Sequence, residues 1–189
     1  RIGLARTVWW DAVEPSNQRN LSDAARALRE AGARVQTWDM PESWRALADA
    51  QNRVMTKEAT QNYAPERERF SHLLSPSLTQ SLAAGDLVTR AQMSDAKKRK
   101  KRALSDLAQA FERFDFLLTP SAKGEAPAGL GNTGDPVFNR SWTLLGTPCI
   151  ALPFNVGPLG LPLSVQLVGR PGSDDRLIAA ARWVEKVLS

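Results

Sequence analysis

Short apolar runs alternate with longer amphipathic stretches along the whole chain. The runs at residues 2–7, 35–38, 116–119, 149–153 and 163–169 have the length of β-strands. The stretches at 17–31, 41–62, 76–85, 89–113, 135–146 and 173–188 place apolar residues three or four positions apart, which indicates amphipathic helices. The pattern predicts an α/β protein with a mixed β-sheet of about five strands flanked by helices.

The first forty residues have a strand, helix, strand order. Ser16 or Asn17 is suited to cap the helix, and Gly32 ends it. A Gly-rich phosphate turn is absent from the first strand-to-helix junction, so the pattern gives little support to a dinucleotide-binding fold. Residues 41–113 are predicted to be helical apart from a bend at 63–69, and we interpret them as a helical insertion within one domain, residues 1–189.

Residues 115–170 hold most of the unusual sequence features. The run 116–119 is continuous and carries no charge, which is typical of a strand buried on both faces, and Pro120 is expected to end it. Residues 121–134 carry four glycines, so they can wrap a pocket but cannot fill a core. Asp135 is placed to cap a helix that Gly146 ends. A second buried strand is predicted at 149–153, with Cys149 acting there as a small hydrophobe.

Three segments of this region, LLTPSAKGEAP, NTGDPVFNRSWTLLGTPCIALP and GLPLSVQLVGRPGSDDRLI, resemble the C-terminal part of the amidase signature family. The resemblance is dense over residues 114–188 and looser back to Arg1. It implies hydrolysis of amides by a Ser/cis-Ser/Lys triad, with no metal and no other cofactor. The family's triad lies in an N-terminal, Gly/Ser-rich half. No two serines are adjacent in this chain, so we expect no catalytic residues here and a missing N-terminal half as its partner.

The resemblance also implies that this part of the chain forms one wall of the substrate pocket, opposite the triad. On that basis the expected substrate-binding residues are Thr119, Pro120, Asp135, Asn139 and Trp142. Helix capping explains Asp135 equally well, and core packing explains Trp142. Ser121 and Lys123 fall outside the family's catalytic segments, and we interpret Lys123 as a solvated loop residue.

Composition limits the alternatives. The net charge is +5, and most of the excess is the run KKRKKR at residues 97–102. On a helix six consecutive cations spread around the cylinder, so we favour a solvated face over a nucleic-acid site. One cysteine excludes an internal disulfide and, with no apolar run near the roughly 20 residues of a membrane span, suggests a cytoplasmic protein without a membrane partner. One histidine and one cysteine make a metal site improbable.

The sequence therefore predicts the C-terminal part of an amidase that hydrolyses carboxamide C–N bonds of a small molecule. This part would complete the sheet and one pocket wall and would be inactive alone. Two alternatives stay open: a standalone, non-catalytic module that binds a small molecule, and a basic protein that interacts with nucleic acid. A part that normally lies against a missing half should expose a strand edge or an apolar patch, so we also predict self-association.

Overall fold

The computed structural model describes residues 1–189, and at its centre is one five-stranded sheet. The strands are β1 (Ile2–Arg6), β2 (Val35–Asp39), β3 (Phe116–Pro120), β4 (Cys149–Val156) and β5 (Pro162–Val168). Their order across the sheet is β2-β1-β3-β5-β4. β1 is parallel to β2 and β3, whereas β5 is antiparallel to β3 and β4. The prediction of a mixed, five-stranded α/β fold is confirmed.

Seven α-helices accompany the sheet. They are α1 (Pro15–Glu30), α2 (Leu47–Asn62), α3 (Ala64–Phe70), α4 (Pro76–Asp86), α5 (Arg90–Arg113), α6 (Val137–Leu145) and α7 (Asp174–Leu188). The bend predicted at 63–69 is wrong, because α3 occupies that stretch and Pro65 lies in its first turn, where a missing N–H costs no hydrogen bond. The division into one domain with an insertion at 41–113 stays a prediction. No helix is both long enough and apolar enough to span a membrane.

The two faces of the sheet bury separate apolar clusters. Successive side chains of a strand point to opposite faces, so Leu117 joins the cluster that includes residues of α2, α5 and α6, and Leu118 joins the cluster that includes residues of α1 and α7. All five residues of β3 are buried, as its continuous apolar run predicts. In the first cluster Trp44 packs edge-on against both Trp38 and Trp142, each at 5.7 Å between ring centroids.

α2 and α4 approach each other closely at Gly85. A Cβ at that position would collide with the Thr56 carbonyl oxygen and the Thr60 hydroxyl. Thr60 Oγ1 also donates to the Leu82 carbonyl at 2.8 Å, which ties the two helices together. The absence of a side chain at Gly85 is therefore what allows this packing.

β4 corrects the prediction of a second buried strand. It lies at the edge of the sheet, pairs only with β5, and buries only Leu152 among its eight residues. Cys149 is exposed, so its interpretation as a buried hydrophobe is also wrong. Pro153 lies within β4, and proline is typical of edge strands because it lacks a ladder donor. The apolar run was correct evidence for a strand but carried no information about its position in the sheet.

Candidate functional site

An open cavity of about 770 Å³ lies beyond the end of β3. Its walls are the loop of residues 121–135, the residue before α1, the start of α6 and the hairpin that joins β4 to β5. Loops at the carboxyl ends of parallel strands are where α/β proteins commonly bind ligands. The position of the cavity is thus the expected one for this sheet.

Three hydrogen bonds fix the first residues of this loop to the helices beside it. The Ser121 carbonyl accepts from Asn139 Nδ2 at 3.1 Å, and the Ala122 carbonyl accepts from Asn17 Nδ2 at 2.8 Å. The Lys123 carbonyl accepts from the Glu14 N–H at 2.8 Å. The predicted capping role of Ser16 or Asn17 is wrong, because α1 begins at Pro15 without a side-chain cap and Asn17 is used to hold the loop.

Glu125 fixes the other side of the cavity. Its carboxylate accepts from the Leu159 N–H at 3.0 and 3.1 Å and from the Leu161 N–H at 2.8 Å. Both donors belong to the turn between β4 and β5. A carboxylate that accepts several backbone N–H groups is a strong anchor, so the loop and the hairpin are held together.

A buried polar row lies beneath the cavity on the side of the sheet that faces α6. Gln166 on β5 is 5% exposed and donates from Nε2 to Asn139 Oδ1 at 2.9 Å. Asn139 thus connects the sheet to the loop through Gln166 and Ser121. Thr119 is opposite Gln166 in the pairing of β3 with β5, and neither Thr119 Oγ1 nor Gln166 Oε1 has a hydrogen-bond partner.

The charged groups at the cavity are partly paired. Lys123 Nζ lies 3.2 Å from Asp135 Oδ2, and about half of each side chain is exposed. Lys123 is therefore an exposed loop residue, as predicted, and it also forms an ion pair at the cavity wall. Asp135 Oδ1 also accepts from the Val137 N–H at 3.1 Å. The predicted cap role of Asp135 is nevertheless wrong by one residue, because α6 begins at Val137, its N-cap is Pro136, and no side chain caps it.

The five predicted substrate-binding residues divide into two groups. Asp135 and Asn139 border the cavity. Thr119, Pro120 and Trp142 are buried and do not border it. Pro120 remains within β3 opposite Val165, one residue beyond the predicted strand end, and the Trp142 ring packs in the core. Contact of all five with substrate stays a prediction.

The cavity provides binding groups and no assembled nucleophile. Lys123 Nζ is paired with Asp135 at 3.2 Å, and no hydrogen bond joins it to Ser121, so the two residues do not form a base and nucleophile pair. No group of three or more His, Cys, Asp or Glu residues is arranged to hold a metal ion. Cys149 at the nearby sheet edge is exposed as a residue, but neighbouring atoms partly desolvate its sulfur. This desolvation raises the pKa of the thiol, against the opposing effect of hydrogen bonds with Thr147 and Gln166. This thiol stays protonated at neutral pH and is a weak nucleophile.

Sequence reasoning missed Gln166, Glu125 and Asn17. Gln166 left a signal, because it is the one large polar residue in the apolar run 163–169 and a buried polar side chain needs a partner. The sequence carried no such signal for Glu125 and Asn17, since their hydrogen-bond partners are backbone groups 34 and 105 residues away in the chain.

Comparison with known proteins identifies the family. The family model described as Amidase matches residues 1–178. The chain belongs to the amidase signature family. Among curated amidase relatives, a glutamyl-tRNA(Gln) amidotransferase subunit from Granulibacter bethesdensis is 30% identical over 98% of this chain and 43% of its own length. The corresponding protein of Geotalea daltonii is 28% identical over 98% of this chain and 44% of its own length.

Solved amidase structures share the fold. A structure described as "Crystal structure of amidase" gives a TM-score of 0.85 at 23% identity and covers 99% of this chain and 46% of the other. A bacterial aryl acylamidase of the same family gives a TM-score of 0.78 at 23% identity, over 98% of this chain and 43% of the other. The chain thus spans less than half the length of its relatives, and it matches their C-terminal portion.

Proposed function

We propose that this chain is the C-terminal part of an amidase that hydrolyses carboxamide C–N bonds, and that it completes the sheet and one wall of the substrate pocket. The observation that carries the proposal is a family match over almost the whole chain that spans only about 44% of a relative. The named relatives include both an amidotransferase component and an aryl acylamidase, so the proposal concerns the carboxamide class as a whole.

The pocket wall in this proposal is the surface around Asp135 and Asn139. Both border the cavity, and Asn139 is held from two sides by Gln166 and the Ser121 carbonyl. A polar group that is fixed in this way can bind a substrate amide without losing further side-chain entropy. Thr119, Pro120 and Trp142 support the wall from beneath. Bond breaking is assigned to the missing N-terminal half, where the family has its serines and lysine.

The first experiment is the intact mass of the gene product in its source cells, compared with 20.7 kDa for this chain. We expect a product more than twice as heavy, and we expect it to hydrolyse carboxamides while the 189-residue chain does not. A product of 20.7 kDa would favour the standalone binding module instead. Hydrolysis by the 189-residue chain alone would contradict its assignment as a non-catalytic part.

The second experiment tests the pocket wall in the full gene product. Asp135→Asn keeps a side-chain oxygen that can accept from the Val137 N–H but removes the charge, and we expect KM to rise by about tenfold with a smaller change in kcat. Asp175→Asn, an exposed residue in the first turn of α7 and not part of the cavity wall, is the matched control and should leave KM unchanged. Equal KM values for the two variants would exclude Asp135 from substrate binding.

A further inference from the structure

The outward side of α5 carries a dense group of cations. Buried residues of α5, among them Ala96, Ala103 and Leu107, fix the side that faces the core. At about 100° of rotation per residue, four cations of the basic run fall on the opposite half of the helix. These outer cations are Lys97, Lys98, Lys101 and Arg102, and all four are exposed.

The other two cations of the run are used within the fold. Arg99 Nε pairs with Asp95 Oδ2 at 2.7 Å, and Lys100 is half-buried. The next carboxylate along α5, Asp106, accepts a hydrogen bond from Trp44 Nε1 at 3.0 Å. None of the outer cations has a carboxylate within ion-pair distance, and Asp95, which lies near Lys98, is already paired with Arg99.

The spacing of the outer cations is unfavourable in the isolated protein. Lys97 and Lys101 are four residues apart, and so are Lys98 and Arg102, which places like charges side by side on two turns. Like charges at this spacing repel each other and destabilise a helix. An anion that bridges the two turns would remove this repulsion. A depression of about 210 Å³ beside them is lined by Ser43, Lys98 and Arg102, among others.

We propose that the outer cations of α5 bind the phosphate backbone of a nucleic acid independently of base sequence. A protein partner fits less well, because the centre of a protein interface is depleted in lysine and needs apolar anchors. The outer side between Ser94 and Ser105 offers none. Insertion into a lipid surface would need the apolar side of α5, which is already buried in the core.

Sequence-independent binding follows from the same surface. No aromatic residue lies within residues 94–105, so no ring is present for bases to stack on. The outer cations do not border the cavity at the end of β3. This proposal is therefore independent of the amidase assignment, and either one can fail alone.

The test measures fluorescence anisotropy of labelled oligouridine, and of a DNA duplex of equal length, with the polypeptide at the length that its gene encodes. Four phosphate contacts predict that log affinity falls with log salt at a slope of about −3 for the single strand and somewhat more steeply for the duplex. Replacing all four outer cations by Gln should weaken binding at low salt by at least about tenfold and bring the slope near zero. The double variant Lys97→Gln/Lys101→Gln should halve the slope.

A control variant distinguishes the effect of the outer cations from the effect of the protein's net charge. It replaces four exposed arginines of other elements, Arg19, Arg34, Arg176 and Arg182, by Gln and so removes the same four charges. This variant should bind within about twofold of the parent protein. The proposal is overturned if the control loses as much affinity as the α5 variant, or if the parent protein does not bind at low salt. It is also overturned if unlabelled polyglutamate competes with labelled oligouridine as effectively as unlabelled oligouridine of equal charge. Circular dichroism of each variant verifies that α5 remains folded.

Discussion

Replacement of Asn139 by alanine should destabilise the protein far more than its half-exposed position suggests. The substitution removes the hydrogen bonds from Asn139 to the Ser121 carbonyl and from Gln166 to Asn139, each contributing about 1 kcal/mol. It also leaves Gln166 Nε2 without a partner in a site that is 5% exposed. An unpaired buried donor costs about 1–3 kcal/mol, and the better helix propensity of alanine returns roughly 0.5 kcal/mol. The expected loss in the free energy of unfolding is about 2.5–4.5 kcal/mol.

A double-mutant cycle tests that reasoning. Gln166→Leu removes the donor that Asn139→Ala would leave unpaired, together with Oε1, which already has no partner. We expect Gln166→Leu alone to cost about 1 kcal/mol, and the double variant to be about 1–2 kcal/mol more stable than the sum of the single variants predicts. Urea unfolding followed by tryptophan fluorescence gives each value. Thr143→Ala, an exposed position on the same helix, is the control and should change stability by less than about 0.5 kcal/mol.

Additivity would refute the argument. If the single and double variants agree within about 0.3–0.5 kcal/mol, Asn139 and Gln166 do not act as a unit. The loop provides a second test, because loss of the hydrogen bond to the Ser121 carbonyl removes one of the three bonds that fix residues 121–123. Amide exchange in residues 121–134 should then be faster in Asn139→Ala than in Thr143→Ala.

Three further predictions concern packing, pH and association. Gly85→Ala should destabilise the protein by about 1–3 kcal/mol in urea unfolding, because α2 leaves no room for a Cβ, whereas Gly131→Ala, which meets nothing within 4 Å, should not. The hydrogen bond with the Arg1 side chain lowers the pKa of Asp115 below its usual value of 3.8, so the stabilisation is complete above pH 3.8 and is lost as the pH falls through the lowered pKa. A carboxyl NMR titration should show that Arg1→Leu raises this pKa. Light scattering should detect self-association of the 189-residue chain through the open edge of β4. Val156→Lys, at a position that is 68% exposed, should reduce this self-association. A chain that stays monomeric at every concentration would count against its assignment as part of a larger amidase.

The sequence predicted the type of each secondary-structure element better than its position in the fold. The strand runs, the strand-helix-strand opening and the helical stretch before β3 could be predicted because apolar spacing depends on local geometry. The run at 149–153 was recognised as a strand but misplaced in the interior, since an edge strand and a central strand can share one composition. The stretch at 63–69 was taken for a bend because Pro65 and four charged residues obscured a two-turn helix.

In the candidate site, too, local contacts could be predicted from the sequence and long-range contacts could not. Asp135 was found near the start of α6 because its partner, the Val137 N–H, is two residues away, although the N-cap itself is Pro136. Asn17, Glu125 and Gln166 act on groups 27 to 105 residues away, and such contacts leave no periodic trace. The burial of Trp142 against Trp44 likewise depends on how α6 crosses the sheet and not on the sequence of α6 itself.

The sequence by itself determined the strands, most of the helices, the mixed sheet and the resemblance to the C-terminal part of an amidase, because each depends on local residue patterns. Only the tertiary structure decided which strand lies at the edge, which predicted residues border the cavity, and which cations of the basic run stay unpaired. The physical reason is that burial and pairing are properties of two surfaces in contact, and the second surface is supplied by a distant part of the chain.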